Sequence, residues 1–201
     1  TTLIMSLAIA AAVFAFFFLG CKLRVLPVPV MRGWFVVVIV LNILLMGGLT
    51  KLISLANSLG AISEKQSKYL CGVVCIVTFN WIVRLNPQVA VEIDEWSDLP
   101  KRCAVAINHT SFWDAFLFVG MAPYSYVFNT RTLMKSTLRA IPIFGGVFDR
   151  VGHFPVYFKS DEDGNFGLDR ERQAPVMVKV QEFLDADGNI ALFPEGAVNR
   201  E

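Results

Sequence analysis

The sequence predicts a single α/β domain standing behind an N-terminal hydrophobic helical membrane anchor. Long uncharged apolar stretches fill the first part of the chain, and short apolar strands alternate with helical periods in the second. Charge divides along the same line. Residues 1–84 hold seven basic side chains and one acidic, Glu64, whereas residues 85–201 hold eleven basic and sixteen acidic. The net charge of +1 is thus a basic anchor added to an acidic domain. Apolar residues make up 55% of the chain and charged ones 17%, against about 45–50% and about 25% in soluble domains. That balance argues against a disordered chain, a nucleic-acid binder or an ordinary cytosolic monomer.

Residues 1–20 carry no charge and sixteen of them are apolar. As a helix they are ~30 Å long, the thickness of a bilayer core. A signal peptide fits poorly, because the stretch lacks a basic n-region and its apolar run is long. Residues 34–50, with thirteen apolar residues of seventeen between Arg32 and Lys51, form a second stretch. Residues 69–83, between Lys68 and Arg84, form a third. At ~22 Å it is short for a span and suits an interfacial or re-entrant segment. The loop after the first stretch carries Lys22, Arg24 and Arg32, and the next carries Lys51, Lys65 and Lys68 against Glu64. The two loops give no charge difference to orient the chain. A hairpin dipping into one leaflet and two true spans both fit.

From residue 85 onward the pattern changes. Gln88–Glu95 alternates apolar with polar, and Cys103–Ile107 is a short apolar run, so both read as strands. Ser111–Met121 reads as a helix closed by Ala122-Pro123, Tyr124–Asn129 as a strand, and Arg131–Arg139 as a helix stopped before Pro142. Phe154–Phe158 reads as a strand and residues 159–171 as a charged loop. Ala174–Leu184 reads as a helix ended by Asp187-Gly188, and Ile190–Phe193 as a buried strand. Strands alternating with helices imply one α/β domain.

The four cysteines, at 21, 71, 75 and 103, form no CxxC pair and read as buried thiols rather than metal ligands. The Asp161–Asn165 loop lacks the glycine and glutamate positions of a calcium loop, so no metal is expected there. Of the two histidines, His153 reads as structural. His109 stands in Asn108-His109-Thr110-Ser111-Phe112-Trp113-Asp114, where an apolar strand feeds a helix. Five residues on a straight helix are about 140° apart. His109 and Asp114 therefore meet only if His109 lies in the turn before the helix and Asp114 in its first turns. In that geometry the carboxylate fixes the imidazole, and the second ring nitrogen takes a proton from a hydroxyl. Phe112, Trp113, Phe116 and Phe118 are candidates for lining an apolar channel, with ordinary core packing the alternative.

Two further blocks follow in order, Lys135-xx-Leu138 through Gly145 and Phe193-Pro194-Glu195-Gly196. With Asn108-His109-xxxx-Asp114 ahead of them, residues 65–201 resemble the glycerolipid acyltransferase family, which includes the 1-acylglycerol-3-phosphate acyltransferases. The resemblance implies acyl transfer from acyl-CoA, or acyl carrier protein, to a hydroxyl of a lysophospholipid or of glycerol 3-phosphate. The leading acceptor is 1-acyl-sn-glycerol 3-phosphate, giving phosphatidic acid. It implies His109 as general base and Asp114 as its orienting partner, with no metal and no cofactor beyond acyl-CoA as co-substrate. Lys135, Glu195, Gly196, Arg200 and Lys159 fall to acceptor binding.

Two departures bear on that acceptor. Phe158 and Val198 stand where family members commonly carry arginines, with Lys159, Arg150 and Arg200 as neighbouring cations. Another lysophospholipid or glycerol 3-phosphate is the alternative acceptor, and a catalytically silent lipid-binding relative the alternative class. Family members usually continue beyond the third block, so the domain is expected to be incomplete at its C-terminus. Asn108-His109-Thr110 is also a formal glycosylation acceptor. A glycan there would block the base, so the domain is expected on the cytosolic side of an integral membrane protein, in the endoplasmic reticulum if the source is eukaryotic.

Overall fold

The computed structural model describes residues 2–93, 99–111, 113–160 and 166–194. Three helices come first: α1 (Thr2–Lys22), α2 (Val28–Ser58) and α3 (Glu64–Arg84). Pro27 and Pro29 open α2, where a fixed φ and a missing N–H cost nothing. Gly60, at φ 73°, turns the chain after α2. Ser63 then starts α3 with a capping box, its hydroxyl accepting from the Gln66 N–H while the Gln66 side chain accepts from the Ser63 N–H. That box draws the polar turn Glu64–Lys68 into the helix, so the third segment is 21 residues rather than the short interfacial piece expected from its apolar run alone. All three helices are long and apolar enough to cross a membrane.

The downstream domain consists of β1 (Ala104–Ala106), α4 (Trp113–Met121), α5 (Tyr124–Phe128), β2 (Thr130–Lys135), a 3-10 turn (Ser136–Ala140), α6 (Phe144–Val151), β3 (Phe154–Val156), β4 (Phe158–Ser160), β5 (Phe166–Leu168), α7 (Arg170–Asp185) and β6 (Asn189–Leu192). Four strands form a parallel sheet in the order β1-β6-β2-β3. Ala106 lies level with Leu192, Thr132 with Ala191, and Lys135 with Val156. The carboxyl ends of all four strands therefore share one edge. β4 and β5 form a separate antiparallel hairpin.

This is the α/β domain behind an apolar helical anchor that the sequence implies, with local corrections. Tyr124–Asn129 is helical rather than extended. Pro123 fixes the entry, and its carbonyl accepts from the Tyr126 and Val127 N–H groups, closing a helical turn. Arg131–Arg139 is a strand followed by a 3-10 turn rather than a helix, because the segment lies between β6 and β3 and its backbone is paired on both sides. Residues 88–93 form no strand, and the rest of the Gln88–Glu95 expectation lies outside the described residues. The charged stretch 159–171 includes both strands of the hairpin, while Asp161–Asn165 lies outside the described residues.

The domain packs along the α2–α3 pair. α4 lies against α3, and α6 touches both helices. Ile39 of α2, Ile82 and Val83 of α3, and Phe116 of α4 form one buried cluster. Met46, Cys71 and Cys75 form another with Val147 and Val151 of α6. At the α3–α4 crossing a Cβ on Gly120 would come within 2.9 Å of the Phe79 backbone, and the buried Asn80 amide donates to the Gly120 carbonyl at 2.6 Å. The opposite face of α2, with Val36, Val37, Val40, Leu41, Leu44 and Leu52, stays exposed. α1 is apolar and exposed along nearly its whole length and reaches the rest through Phe14 and Phe17 rings against Trp34.

His153 has the structural role that the sequence suggests. Its Nδ1 accepts the Thr132 N–H at 3.1 Å and its ring meets Phe148 edge-on. Burial, reinforced by the Arg131 charge, pushes its pKa down to about 3. The unfolded chain binds a proton near pH 6.5 that the folded chain refuses, so stability falls as pH drops from about 6.5 toward 3, at up to ~1.4 kcal/mol per pH unit. Denaturant melts at pH 7 and pH 5 should show a loss in the natural chain about 2 kcal/mol greater than in His153→Gln. Equal losses would remove His153 as the cause.

Candidate active site

β1 ends at Ala106 and the chain runs through Asn108, His109, Thr110 and Ser111 into α4, whose first turn holds Asp114. The Ser111 N–H donates to Asp114 Oδ2 and the Ser111 hydroxyl to Oδ1, both at 2.8 Å. The Ser111 oxygen in turn accepts the Trp113 N–H at 3.2 Å. These bonds satisfy donors at the start of α4 as a capping box does. The same carboxylate faces the imidazole, with His109 Nδ1 3.3 Å from Asp114 Oδ2. His109 thus lies in the turn and Asp114 in the first helical turn, the one arrangement in which the two meet. A proton on Nδ1 donates to the carboxylate and leaves Nε2 as the acceptor.

Burial alone would raise the Asp114 pKa, but the Ser111 N–H, the Ser111 hydroxyl and His109 outweigh it and hold the carboxyl below its ordinary value. The side chains of His109 and Asp114 keep 19% and 15% of their surface exposed, so the pair is sheltered yet open to a substrate. Ser111 is the residue that sequence reasoning missed. Its signal was present as Ser-x-x-Asp at a helix start.

The strand order brings the other blocks to the same edge. β6 pairs directly with β1, which sets the Phe193 ring 4.5 Å from the His109 ring. Lys135 ends β2, one strand beyond β6 and ~10 Å across the edge from β1. It stands on a strand, not on the expected helix, and its Nζ lies 5.7 Å from the centre of the Phe158 ring. Lys159 is exposed on the β4–β5 hairpin, outside the parallel sheet. Arg150 turns away from the edge and donates to Thr50 of α2 at 3.3 Å. Arg139 pairs with Asp149 at 2.7 Å and reaches the Tyr157 hydroxyl at 3.2 Å. Glu195, Gly196 and Arg200 lie outside the described residues.

A cleft of about 580 Å³ opens beside the pair, with Asn108, Thr110 and Asp114 on its polar side and Leu117, Phe118 and Met121 on its apolar side. Of the aromatic residues considered for an apolar channel, Phe118 lines this cleft. Phe116 is core, Trp113 stacks on Phe35 of α2, and Phe112 lies outside the described residues. Among the described residues no cluster of three or more His, Cys, Asp or Glu side chains is placed to hold a metal ion.

A carboxylate-held imidazole at the carboxyl edge of a parallel sheet, with an apolar cleft at its side, can activate a hydroxyl for attack on an acyl group. A family model described as Acyltransferase matches residues 88–201, the whole sheet-bearing part of the chain. The chain belongs to this acyltransferase family, and the match is consistent with the glycerolipid acyltransferases that its sequence blocks resemble. No curated protein and no solved structure gives a significant match.

Proposed function

We propose that the protein transfers a fatty acyl group from acyl-CoA to the free hydroxyl of a lysophospholipid, with 1-acyl-sn-glycerol 3-phosphate as the first acceptor to test. The 3.3 Å approach of His109 Nδ1 to Asp114 carries this reading. His109 Nε2 takes the hydroxyl proton as the oxygen attacks the thioester carbonyl. The tetrahedral intermediate then collapses, the C–S bond breaks, and the thiolate leaves as the free thiol with the proton from the imidazolium. The thioester is already activated, so one base and correct placement suffice without an acyl-enzyme.

Lys135 takes the acceptor phosphate in this reading, with Glu195, Gly196, Arg200 and Lys159 as the further acceptor-binding candidates. Phe158 gives the alternative acceptor its support. An aromatic ring rather than a guanidinium faces Lys135, and Lys lacks the bidentate fork of Arg. A lysophospholipid with a larger headgroup, or glycerol 3-phosphate, is the second acceptor to try.

The anchor fits a lipid acceptor. α4 and α6 cover one face of the α2–α3 pair, and α6 carries Asp149 with 57% of its side chain exposed. A charged helix packed along α2 favours the pair lying in one leaflet, bare apolar face down, over a pair surrounded by lipid.

The deciding experiment gives the full chain in detergent acyl-CoA and a panel of lyso-acceptors and follows thiol release. No release with any acceptor overturns the enzyme reading and leaves the silent lipid-binding relative. Lys135→Ala should raise the KM for phosphate-bearing acceptors ~10-fold with kcat little changed, as expected for one lost charge-assisted contact. An unchanged KM would remove Lys135 from that role.

A further inference from the structure

Between the 3-10 turn and α6 the backbone is strained at one residue. Ile143 adopts φ 69° and ψ −55°, and the Phe144 N–H donates to the Pro142 carbonyl at 2.8 Å. These are the angles and the bond of the rare γ-turn with positive φ. A β-branched side chain is the least suited to positive φ, and a glycine would relieve the strain. Strain of this kind persists only where the surroundings over-determine it.

The surroundings here are α2. Gly47 is buried, and a Cβ added to it would fall on Ile143 Cγ2, with Ile143 Cβ at 3.3 Å. The missing side chain on α2 is thus the seat that the strained isoleucine fills. Three residues along α2, Thr50 accepts from Arg150 in the last turn of α6, so α6 is tied to α2 at both of its ends. At the other end of the stretch, Gly145 lies so close to the Arg139 carbonyl that a Cβ would collide with it. The loop from Arg139 to Gly145 closes on itself and is fixed to the anchor through Ile143, and the 3-10 turn joins it directly to Lys135.

We infer that Ile143 is a positioning residue: seated in the Gly47 notch of α2, it holds the stretch that begins at Lys135 in register with the membrane anchor. This rests on the reading that Lys135 addresses the acceptor. A ligand held in the bilayer and a cation at the sheet edge must share one frame, and the Ile143–Gly47 contact provides it. A side chain that served stability alone has no reason to sit in a turn that a glycine accommodates better.

Ile143→Gly tests this directly in the full chain. The thermal midpoint should stay or rise as the strain is relieved. Acceptor KM should rise ~5-fold or more with kcat within about twofold. Amide exchange over Ser136–Ala140 should quicken by ~10-fold or more, a readout that needs no activity. A fallen midpoint with kcat lost in step would mark a merely structural residue and overturn the inference, as would unchanged exchange.

Gly47→Ala should reproduce the KM and exchange effects, and adding Ile143→Ala, which vacates the space for the new Cβ, should return both toward the natural values. Independent, multiplying effects of the two substitutions would overturn the inference as well. If the natural chain acylates no acceptor, the enzyme reading fails, and the exchange measurements alone still decide whether Ile143 holds the stretch.

Discussion

His109→Ala should lower kcat for acyl transfer ~10³-fold while leaving acceptor and acyl-CoA KM near their natural values. The imidazole contributes only as the proton moves, so its loss falls on the transition state rather than on binding. The Phe193 ring and the lining of the cleft are left in place by the substitution. Initial-rate kinetics of thiol release check this, with circular dichroism to show that the fold is retained. Activity within a few-fold of the natural chain would remove His109 as the base.

Asp114→Asn should cost ~10²-fold in kcat. The amide oxygen, placed where Oδ2 stands, still accepts from both the Ser111 N–H and His109 Nδ1, so the start of α4 keeps most of its cap. What is lost is the negative charge that favours the imidazolium formed as the proton moves, which weakens His109 as a proton acceptor. A second consequence follows from the direction of the Asp114 shift. Its folded pKa lies below the ordinary carboxyl value near 3.9, so its stabilising contribution is complete above that pH and is lost as pH falls through the folded value. The asparagine chain should therefore lack that part of the acid loss of stability below about pH 4. If rate and acid stability both match the natural chain, the carboxylate neither orients the base nor is held by Ser111.

The candidate pair was legible because it is local. His109 and Asp114 lie five residues apart, and a strand running into a helix leaves one geometry in which they meet. The three apolar helices were legible from hydropathy, although the true length of α3 depended on Ser63 and Gln66, which carry no apolar signal. Arg131–Arg139 misled because its state is set from far away. β2 pairs with Ile190 and Ala191, some sixty residues later, and those partners override local preference. Tyr124–Asn129 misled for the opposite reason: β-favouring side chains sit behind a proline that starts a single helical turn. The contact between Lys135 and Phe158 joins the parallel sheet to the separate β4–β5 hairpin, a meeting that no spacing rule states.

The strand order sets a schedule for biogenesis. β6 is the last strand described, yet it sits between β1 and β2 and is the only partner that β1 has among the described residues. A ribosome emits β6 well after β1, so β1 waits unpaired while more than eighty residues are made. Until β6 inserts, the turn bearing His109 and the strand ending in Lys135 have no common sheet to align them. The sheet edge that carries His109 and Lys135 therefore remains unassembled until β6 arrives. For the same reason, chaperone dependence and degradation should concentrate on chains interrupted before Asn189.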